Sequence, residues 1–173
     1  MIEIVQVLPD SAREMGITDA RCFEAGRRAA ESLFRGYAEE LGIDLGFQGF
    51  QEELAGLPGK YGPPWGVLLV LWDGERPVAC GAIRPLPPEN LGENTAEIKR
   101  MYVVPTHRRQ GLSRRLMHLL LDAARNLGYR RAVLDTLARL TAANALYLSS
   151  GFTEIEDYNG NPVPGARFFG RDL

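Results

Sequence analysis

Two different spacings of apolar positions run along this chain, and each predicts its own kind of secondary structure. Four short apolar runs lie at 67–72, 78–83, 96–104 and 131–137. Their length and the turn residues around them predict strands. Asp73-Gly74 separates the first two runs and has the composition of a tight turn, so those two strands are expected to pair antiparallel.

Apolar residues three or four positions apart predict amphipathic helices elsewhere in the chain. These segments lie at 19–41, 111–126 and 140–150, and a glycine stands just past the end of each. A shorter helix is predicted near 51–54 and a loop over 85–93. Ser11 and Glu14 have the spacing of a capping box.

The alternating segment 3–8 predicts a first strand, and 153–157 with 167–173 predict a closing hairpin. The later half therefore runs strand, helix, strand, helix, strand. A crossover helix between two strands makes them locally parallel, so we expect a mixed α/β (α+β) fold. The chain has 173 residues and no repeat, low-complexity tract or linker, which predicts one domain over 1–173.

Charge is unevenly distributed along the chain. The formal net charge is −2, which disfavours nucleic-acid binding, and aromatic residues are not interleaved with the basic ones. Six basic residues nevertheless fall within 99–115: Lys99, Arg100, Arg108, Arg109, Arg114 and Arg115. This concentration indicates either an anion site or a solvated helix face.

Several classes of protein are not expected from the composition. Two cysteines and two histidines without ligand spacing predict no disulfide framework and no metal site. No apolar run approaches the roughly 18 residues that a membrane span needs. The first residues lack the basic and apolar regions of a signal peptide, so a cytoplasmic location is expected.

The segment from Arg108 to Ser113 follows a predicted strand and opens a predicted helix. A helix N-terminus presents unpaired backbone N–H groups, and small residues let a phosphate approach them. The segment lacks the Lys-Ser or Lys-Thr pair of a P-loop and the three glycines of a dinucleotide fingerprint. Taken alone, it predicts a phosphate cradle or a basic solvated turn.

In detail, the segment resembles the acetyl-CoA loop of the GNAT superfamily of N-acetyltransferases, Arg/Gln-x-x-Gly-x-Gly/Ala. Arg108, Gly111 and Ser113 fill this pattern, with Ser in place of the last small residue. The run Ala143-x-x-Leu146-Tyr147-x-x-x-Gly151-Phe152 is similar to a later motif of the same family. The runs Leu134-Asp135-Thr136-Leu137 and Asn161-Pro162-x-Pro164-Gly165 resemble one group of small stand-alone members.

This resemblance covers about 67–173 and implies an acetyl-CoA-binding core there. It also implies a twisted mixed sheet of about six to seven strands with helices on both faces. Acetyl-CoA is the implied co-substrate. The implied cofactor-binding residues are Met101, Val103, Arg108, Arg109, Gln110, Gly111, Leu112, Ser113, Arg114 and Asn144.

The resemblance further implies candidates for the chemistry. Glu97 is the candidate general base, with a strand carboxylate paired to Lys99 or Arg100 as the alternative. Tyr147 is the candidate general acid for the CoA thiolate, since a phenol keeps its proton at neutral pH, with a core tyrosine as the alternative. The backbone N–H of Val103 is the candidate oxyanion donor.

The pattern departs from the family at Leu140, where many members have Asn near the pantetheine; Asn144 is not equivalent to that position. The acceptor site is expected from 34–51 and 158–165. Trp65, Tyr158 and Asn159 either line it or have structural roles.

Together these patterns predict an enzyme that transfers an acetyl group from acetyl-CoA to a primary amine by direct attack in a ternary complex. The amine belongs to a small molecule or a protein, and a homodimer is possible. Two alternatives stay open: a non-catalytic acyl-CoA sensor, and a transferase for another acyl-CoA such as succinyl-CoA, with Arg100 as a conceivable partner for its carboxylate.

Overall fold

The computed structural model describes residues 1–10 and 19–173, so the predicted capping box of Ser11 and Glu14 lies outside the described residues. The strands are β1 Ile2–Gln6, β2 Val67–Asp73, β3 Arg76–Pro85, β4 Thr95–Val103, β5 Arg131–Leu137, β6 Thr153–Ile155 and β7 Ala166–Asp172. The helices are α1 Glu24–Leu41, α2 Phe50–Ala55, α3 Pro88–Leu91, α4 Leu112–Asn126 and α5 Thr141–Ser149. Short 3-10 turns lie at Ala20–Cys22, Gly46–Gln48, Gly59–Tyr61 and Pro105–His107.

The strands form one seven-stranded sheet in the order β1-β2-β3-β4-β5-β7-β6. Every neighbouring pair is antiparallel except β4 and β5, which are parallel. The mixed sheet predicted from the sequence is confirmed. The loop predicted over 85–93 is wrong in part, since it contains α3: Pro88 begins that helix with its fixed φ and without the N–H that a first turn leaves unpaired.

Helices cover both faces of the sheet, as expected. On one face α1 packs Ala30, Leu33 and Phe34 against alternate residues of the first strands. On the other face α4 buries Leu116 and Leu120. The two faces therefore have separate apolar cores, and the sheet lies between them.

The parallel pair β4 and β5 opens partway along its length. The two strands are hydrogen-bonded only where Thr95–Glu97 lies beside Arg131–Val133. Beyond this point β5 continues to pair with β7 on its other side, and β4 continues to pair with β3. A wedge-shaped gap in the middle of the sheet results.

Arg100 marks a bulge in β4 at the start of this gap. Cys80 pairs with Tyr102 but Ala82 pairs with Lys99, so β4 contains one extra residue here. Arg100 has φ 57°, a left-handed conformation that is uncommon outside glycine. The bulge re-aims the side chains that follow it, which the alternating pattern of the sequence could not predict.

Candidate active site

Three adjoining cavities occupy the gap between β4 and β5. The first, here the groove, has a volume of about 410 Å³ and lies between the end of β4, the start of α4, α5 and one side of α1. The second, here the charged cavity, has about 360 Å³ and lies between α2, the bulge in β4 and residues 159–162. A narrow passage of about 80 Å³ shares Met101 and Tyr147 with the groove, and Lys99 and Asp135 with the charged cavity.

The loop before α4 has the geometry of an anion cradle. Arg109 and Gly111 have φ of 60° and 78°, so the chain turns through two left-handed residues before the helix begins. The N–H groups of Leu112, Ser113 and Arg114 belong to the first helical turn and have no intrahelical acceptor. Nothing lies within 4 Å of where a Cβ on Gly111 would be, so the backbone here is open to a ligand.

The basic residues of this loop have different surroundings. Arg108 donates from Nε to the carbonyl of Val103 at 2.9 Å and pairs with Glu40, so it ties the loop to β4 and α1 while lining the groove. Arg109 and Arg114 are exposed, and neither forms an ion pair with any described residue. These two cations are available to a phosphate.

Of the other predicted residues of the loop, some line the groove and others have structural roles. Ser113 lines the groove, whereas the side chain of Leu112 is buried in the core. Gln110 is exposed, and its amide donates to the Thr106 carbonyl at 3.5 Å. A cofactor would therefore meet the backbone of Leu112, not its side chain.

Val103 presents its peptide group to the gap. The N–H of Val104 bonds to the carbonyl of Val78 in β3 at 2.9 Å, and adjacent residues of a strand point their N–H and C=O groups in opposite directions. Val103 therefore points away from β3, which agrees with its carbonyl accepting from Arg108. Met101 lines both the groove and the passage.

Tyr147 lies where the groove meets the passage and lines both. Its residue exposure is 8%, and its ring packs against Phe152 and Phe169. Burial raises the pKa of this phenol above its ordinary value, so it stays protonated at neutral pH. The structure thus places a proton donor between the two larger cavities.

Glu97 lies behind the charged cavity and is fully buried. Its Oε2 accepts from Arg84 at 2.6 Å, and its Oε1 accepts from the Tyr158 hydroxyl at 2.9 Å and lies 3.6 Å from Lys99. Glu97 is not among the residues that line the three cavities. A role as base requires one of these partners to give way.

Asn144 is a structural link between α5 and the strands around it. Its side-chain amide donates to the carbonyls of Leu137 and Leu140 at 2.9 and 2.7 Å, and its oxygen accepts from Arg167 at 3.0 Å. The side chain is buried and does not line the groove. These contacts leave it no donor for a cofactor, unlike the expectation from the sequence.

The charged cavity holds two charged residues that the sequence did not single out, Glu53 and Lys60. Arg100 donates to Glu53 at 2.7 Å, and Lys60 lies 3.1 Å from the same carboxylate. Lys99 donates to Asp135 at 2.8 Å. The partners in the Lys99–Asp135 and Arg100–Glu53 pairs are 36 and 47 positions apart in the sequence. The sequence signal that could have indicated them was the run of charged residues from Glu97 to Arg100 inside a predicted buried strand.

Two acidic side chains of this cavity are held in their charged form. Burial raises the pKa of Glu53, but the hydrogen bond and charge of Arg100 outweigh burial, so the pKa lies below its ordinary value. Burial likewise raises the pKa of Asp135, and Lys99 with Asn161 more than offset it. Neither has the raised pKa of a base that works near neutrality.

The three acceptor-site candidates separate in the structure. Asn159 lines the charged cavity, whereas Tyr158 lies behind it with its hydroxyl on Glu97. Trp65 is 60% exposed, away from all three cavities, and its carbonyl accepts from the Tyr129 hydroxyl. Both predicted segments contribute, through Gln48 from 34–51 and Asn161 from 158–165.

The described residues include neither a metal cluster nor a membrane-spanning helix. Over 1–10 and 19–173, no three His, Cys, Asp or Glu side chains gather as a metal site would require. None of the helices described above combines the length and apolar character of a membrane span.

The sequence matches known proteins over most of its length. The sequence model of the acetyltransferase (GNAT) family matches residues 26–152. An uncharacterised N-acetyltransferase of Schizosaccharomyces pombe is 40% identical over 133 residues, which are 76% of this chain and 79% of that protein. An aminoglycoside N(6')-acetyltransferase type 1 of Klebsiella aerogenes is 37% identical over 122 residues, 67% of this chain and 78% of that protein.

A solved structure shares the fold. A Bacillus subtilis acetyltransferase in complex with CoA superposes with a TM-score of 0.51 at 19% identity, covering 62% of this chain and 77% of that one.

Proposed function

Because this chain belongs to the GNAT acetyltransferase family, we propose that it transfers an acetyl group from acetyl-CoA to a primary amine that binds beside the donor in a ternary complex. The observation that carries this proposal is the split between β4 and β5. The split leaves room for the groove on the side of the phosphate cradle and for the charged cavity on the other side. Tyr147 lies where the groove meets the passage between them.

The residues around the groove fit acetyl-CoA. The first turn of α4 offers unpaired N–H groups at Leu112 and Ser113, and Arg109 and Arg114 offer cations without ion-pair partners among the described residues. Val103, with its N–H turned toward the gap, offers a hydrogen bond to the pantetheine or the acyl carbonyl. These residues would hold the pyrophosphate at one end and the thioester at the other.

Acetyl-CoA supplies a thioester carbonyl, so that the acetyl group passes from sulfur to the amine nitrogen and CoA leaves as a thiol. The Val103 N–H is positioned to stabilise negative charge on the carbonyl oxygen. The Tyr147 hydroxyl holds the proton that the sulfur needs, and burial keeps that proton in place until transfer. Direct transfer needs no nucleophile from the protein.

The proposed base, Glu97, is held by two partners. Glu97 can accept a proton once Arg84 or Tyr158 releases one of its oxygens. We keep Glu97 as the candidate, with its salt bridge as the feature to test.

The acceptor is proposed to be an amine because the relatives from Schizosaccharomyces pombe and Klebsiella aerogenes are named as an N-acetyltransferase and an aminoglycoside N(6')-acetyltransferase. The alternative succinyl donor gains nothing from Arg100, whose side chain is 2% exposed and already paired with Glu53. The cytoplasmic location and the homodimer stay predictions.

The test is a coupled assay of thiol release from acetyl-CoA against a panel of primary amines, with succinyl-CoA as the comparison donor. We expect thiol release that depends on an amine, with mass spectrometry locating the acetyl group on nitrogen. Binding of acetyl-CoA without turnover of any amine would favour the sensor, and faster release from succinyl-CoA would contradict the donor.

A further inference from the structure

Two cations at the charged cavity are more exposed than the carboxylates with which they pair. The side chains of Lys60 and Arg84 are 38% and 27% exposed, whereas those of Glu53, Glu97 and Asp135 are 2%, 0% and 7% exposed. In the pairs of Lys60 with Glu53 and of Arg84 with Glu97 the cation is the more exposed partner, whereas Lys99 and Arg100 are as buried as their carboxylates. A ligand entering here therefore meets positive charge first.

Cations also outnumber carboxylates in this cluster. Among the described residues, Lys60, Arg84, Lys99 and Arg100 face three carboxylates, because Arg100 and Lys60 share Glu53. Burial, and after it the charge of Arg84, lower the pKa of Lys60, while Glu53 opposes both effects. An anion bound between these two cations would complete the charge balance.

Gln48 supplies a different group at the other end of the cavity. It lines both the charged cavity and the passage that leads to Tyr147. Its Oε1 is buried and has no hydrogen-bond partner among the described residues. A buried carbonyl oxygen without a donor is costly, and the N–H of a bound amine would supply that donor.

We infer that the amine acceptor also carries a carboxylate, which binds Lys60 and Arg84 while its amine meets Gln48 at the entrance to the passage. This inference rests on the proposed acetyl transfer and adds the class of acceptor, an amino acid or another small amino carboxylate. The volume of about 360 Å³ suits such a molecule. An aminoglycoside, with several amino groups and no carboxylate, would instead meet repulsion.

The experiment compares each of the twenty standard amino acids with its own carboxamide, which keeps the amine and removes the charge. Kanamycin serves as the polycationic amine. For the best amino acid we expect kcat/KM at least about tenfold above that of its carboxamide and of kanamycin. Equal use of the two forms, or a preference for kanamycin, would overturn the inference while leaving acetyl transfer intact.

Variants at Lys60 test whether this side chain causes the preference for an acceptor with a carboxylate. Lys60→Met removes a half-exposed cation while Arg100 still holds Glu53, so the fold is expected to persist. It should raise KM for the amino acid about tenfold and leave kcat/KM for the carboxamide within about twofold, and Lys60→Arg should restore most of the loss. Arg84→Met is unsuitable because it leaves Glu97 buried without its cation.

A binding measurement separates this inference from the proposed function. If no amine releases CoA, the acetyl transfer proposal fails, and calorimetry of the same amino acids in the presence of CoA decides the acceptor class. Binding of an amino acid that Lys60→Met weakens about tenfold supports the carboxylate site. Absence of binding by every amino acid overturns it.

Discussion

The amide of Asn161 donates a hydrogen bond of 2.8 Å to the carboxylate of Asp135. These residues come from two short motifs 26 positions apart, and the bond brings the loop before β7 onto the open end of β5. The other oxygen of Asp135 accepts from Lys99 in β4. Through Lys99, Asp135 thus connects β5 to β4 where the hydrogen bonding between these strands has ended. Through Asn161, it holds the loop that forms one wall of the charged cavity.

Asp135→Asn should destabilise the protein in a way that depends on pH. The folded pKa of Asp135 lies below its unfolded value, so its contribution is present above about pH 4 and is lost as pH falls through the folded pKa. We expect Asp135→Asn to lower the free energy of unfolding by about 3 kcal/mol at pH 7, because the buried Lys99 loses its nearest carboxylate. The difference from wild type should shrink in urea titrations near pH 3.

The matched control is Asp122→Asn. Asp122 pairs with Arg125 on the exposed side of α4, where an ion pair contributes little. An equal loss at pH 7 and pH 3 for Asp135→Asn would show that its charge does not stabilise the fold.

Tyr147→Phe should lower kcat about 100-fold while changing the Kd for acetyl-CoA little, since only the proton donor is removed and the ring contacts with Phe152 and Phe169 persist. Single-turnover kinetics and calorimetry give the two quantities separately. Tyr129→Phe, which loses a hydrogen bond to Trp65 away from the groove, is the control. An unchanged kcat in Tyr147→Phe would exclude the acid role.

Gly111→Asp should weaken acetyl-CoA binding at least about tenfold, because a carboxylate at the start of α4 repels phosphate. Gly111→Asn has nearly the same shape, and both residues tolerate the left-handed φ of 78°. Isothermal calorimetry should therefore show near-native affinity for Gly111→Asn. Equal weakening by both variants would indicate backbone strain instead of charge.

Asn144→Ala should affect stability and leave cofactor binding unchanged. Three hydrogen bonds are lost, which at about 1 kcal/mol each lowers Tm by roughly 6–12 °C. The Kd for acetyl-CoA of the folded protein should stay within about twofold of wild type, since Asn144 does not line the groove. A native Tm with a large rise in Kd would instead return Asn144 to the cofactor site.

The sequence predicted the elements well where one local pattern sufficed. The order of strands and helices, the end of α1 at Gly42 and the start of α4 after Gly111 all follow from periodicity and turn residues. The short α3 was missed, since four residues between prolines and a glycine carry no period.

The charged cavity was not predictable in the same way. It depends on pairs such as Glu53 with Arg100, which are 47 positions apart, and on the left-handed Arg100 that shifts the register of β4. A charged residue in a strand pattern does not reveal its partner. The surroundings of Glu97 were not predictable for the same reason. Its hydrogen-bond donors, Arg84 and Tyr158, come from two other parts of the chain.

Backbone hydrogen exchange with and without acetyl-CoA tests the central claim most directly, because it reports where the donor binds without requiring an acceptor. The account predicts slower exchange at Val103 and at 111–114, the amides that face the gap and the cradle, and no such effect with acetate. Protection confined to the charged cavity around Lys60 and Asn161, or none at saturating acetyl-CoA, would contradict it.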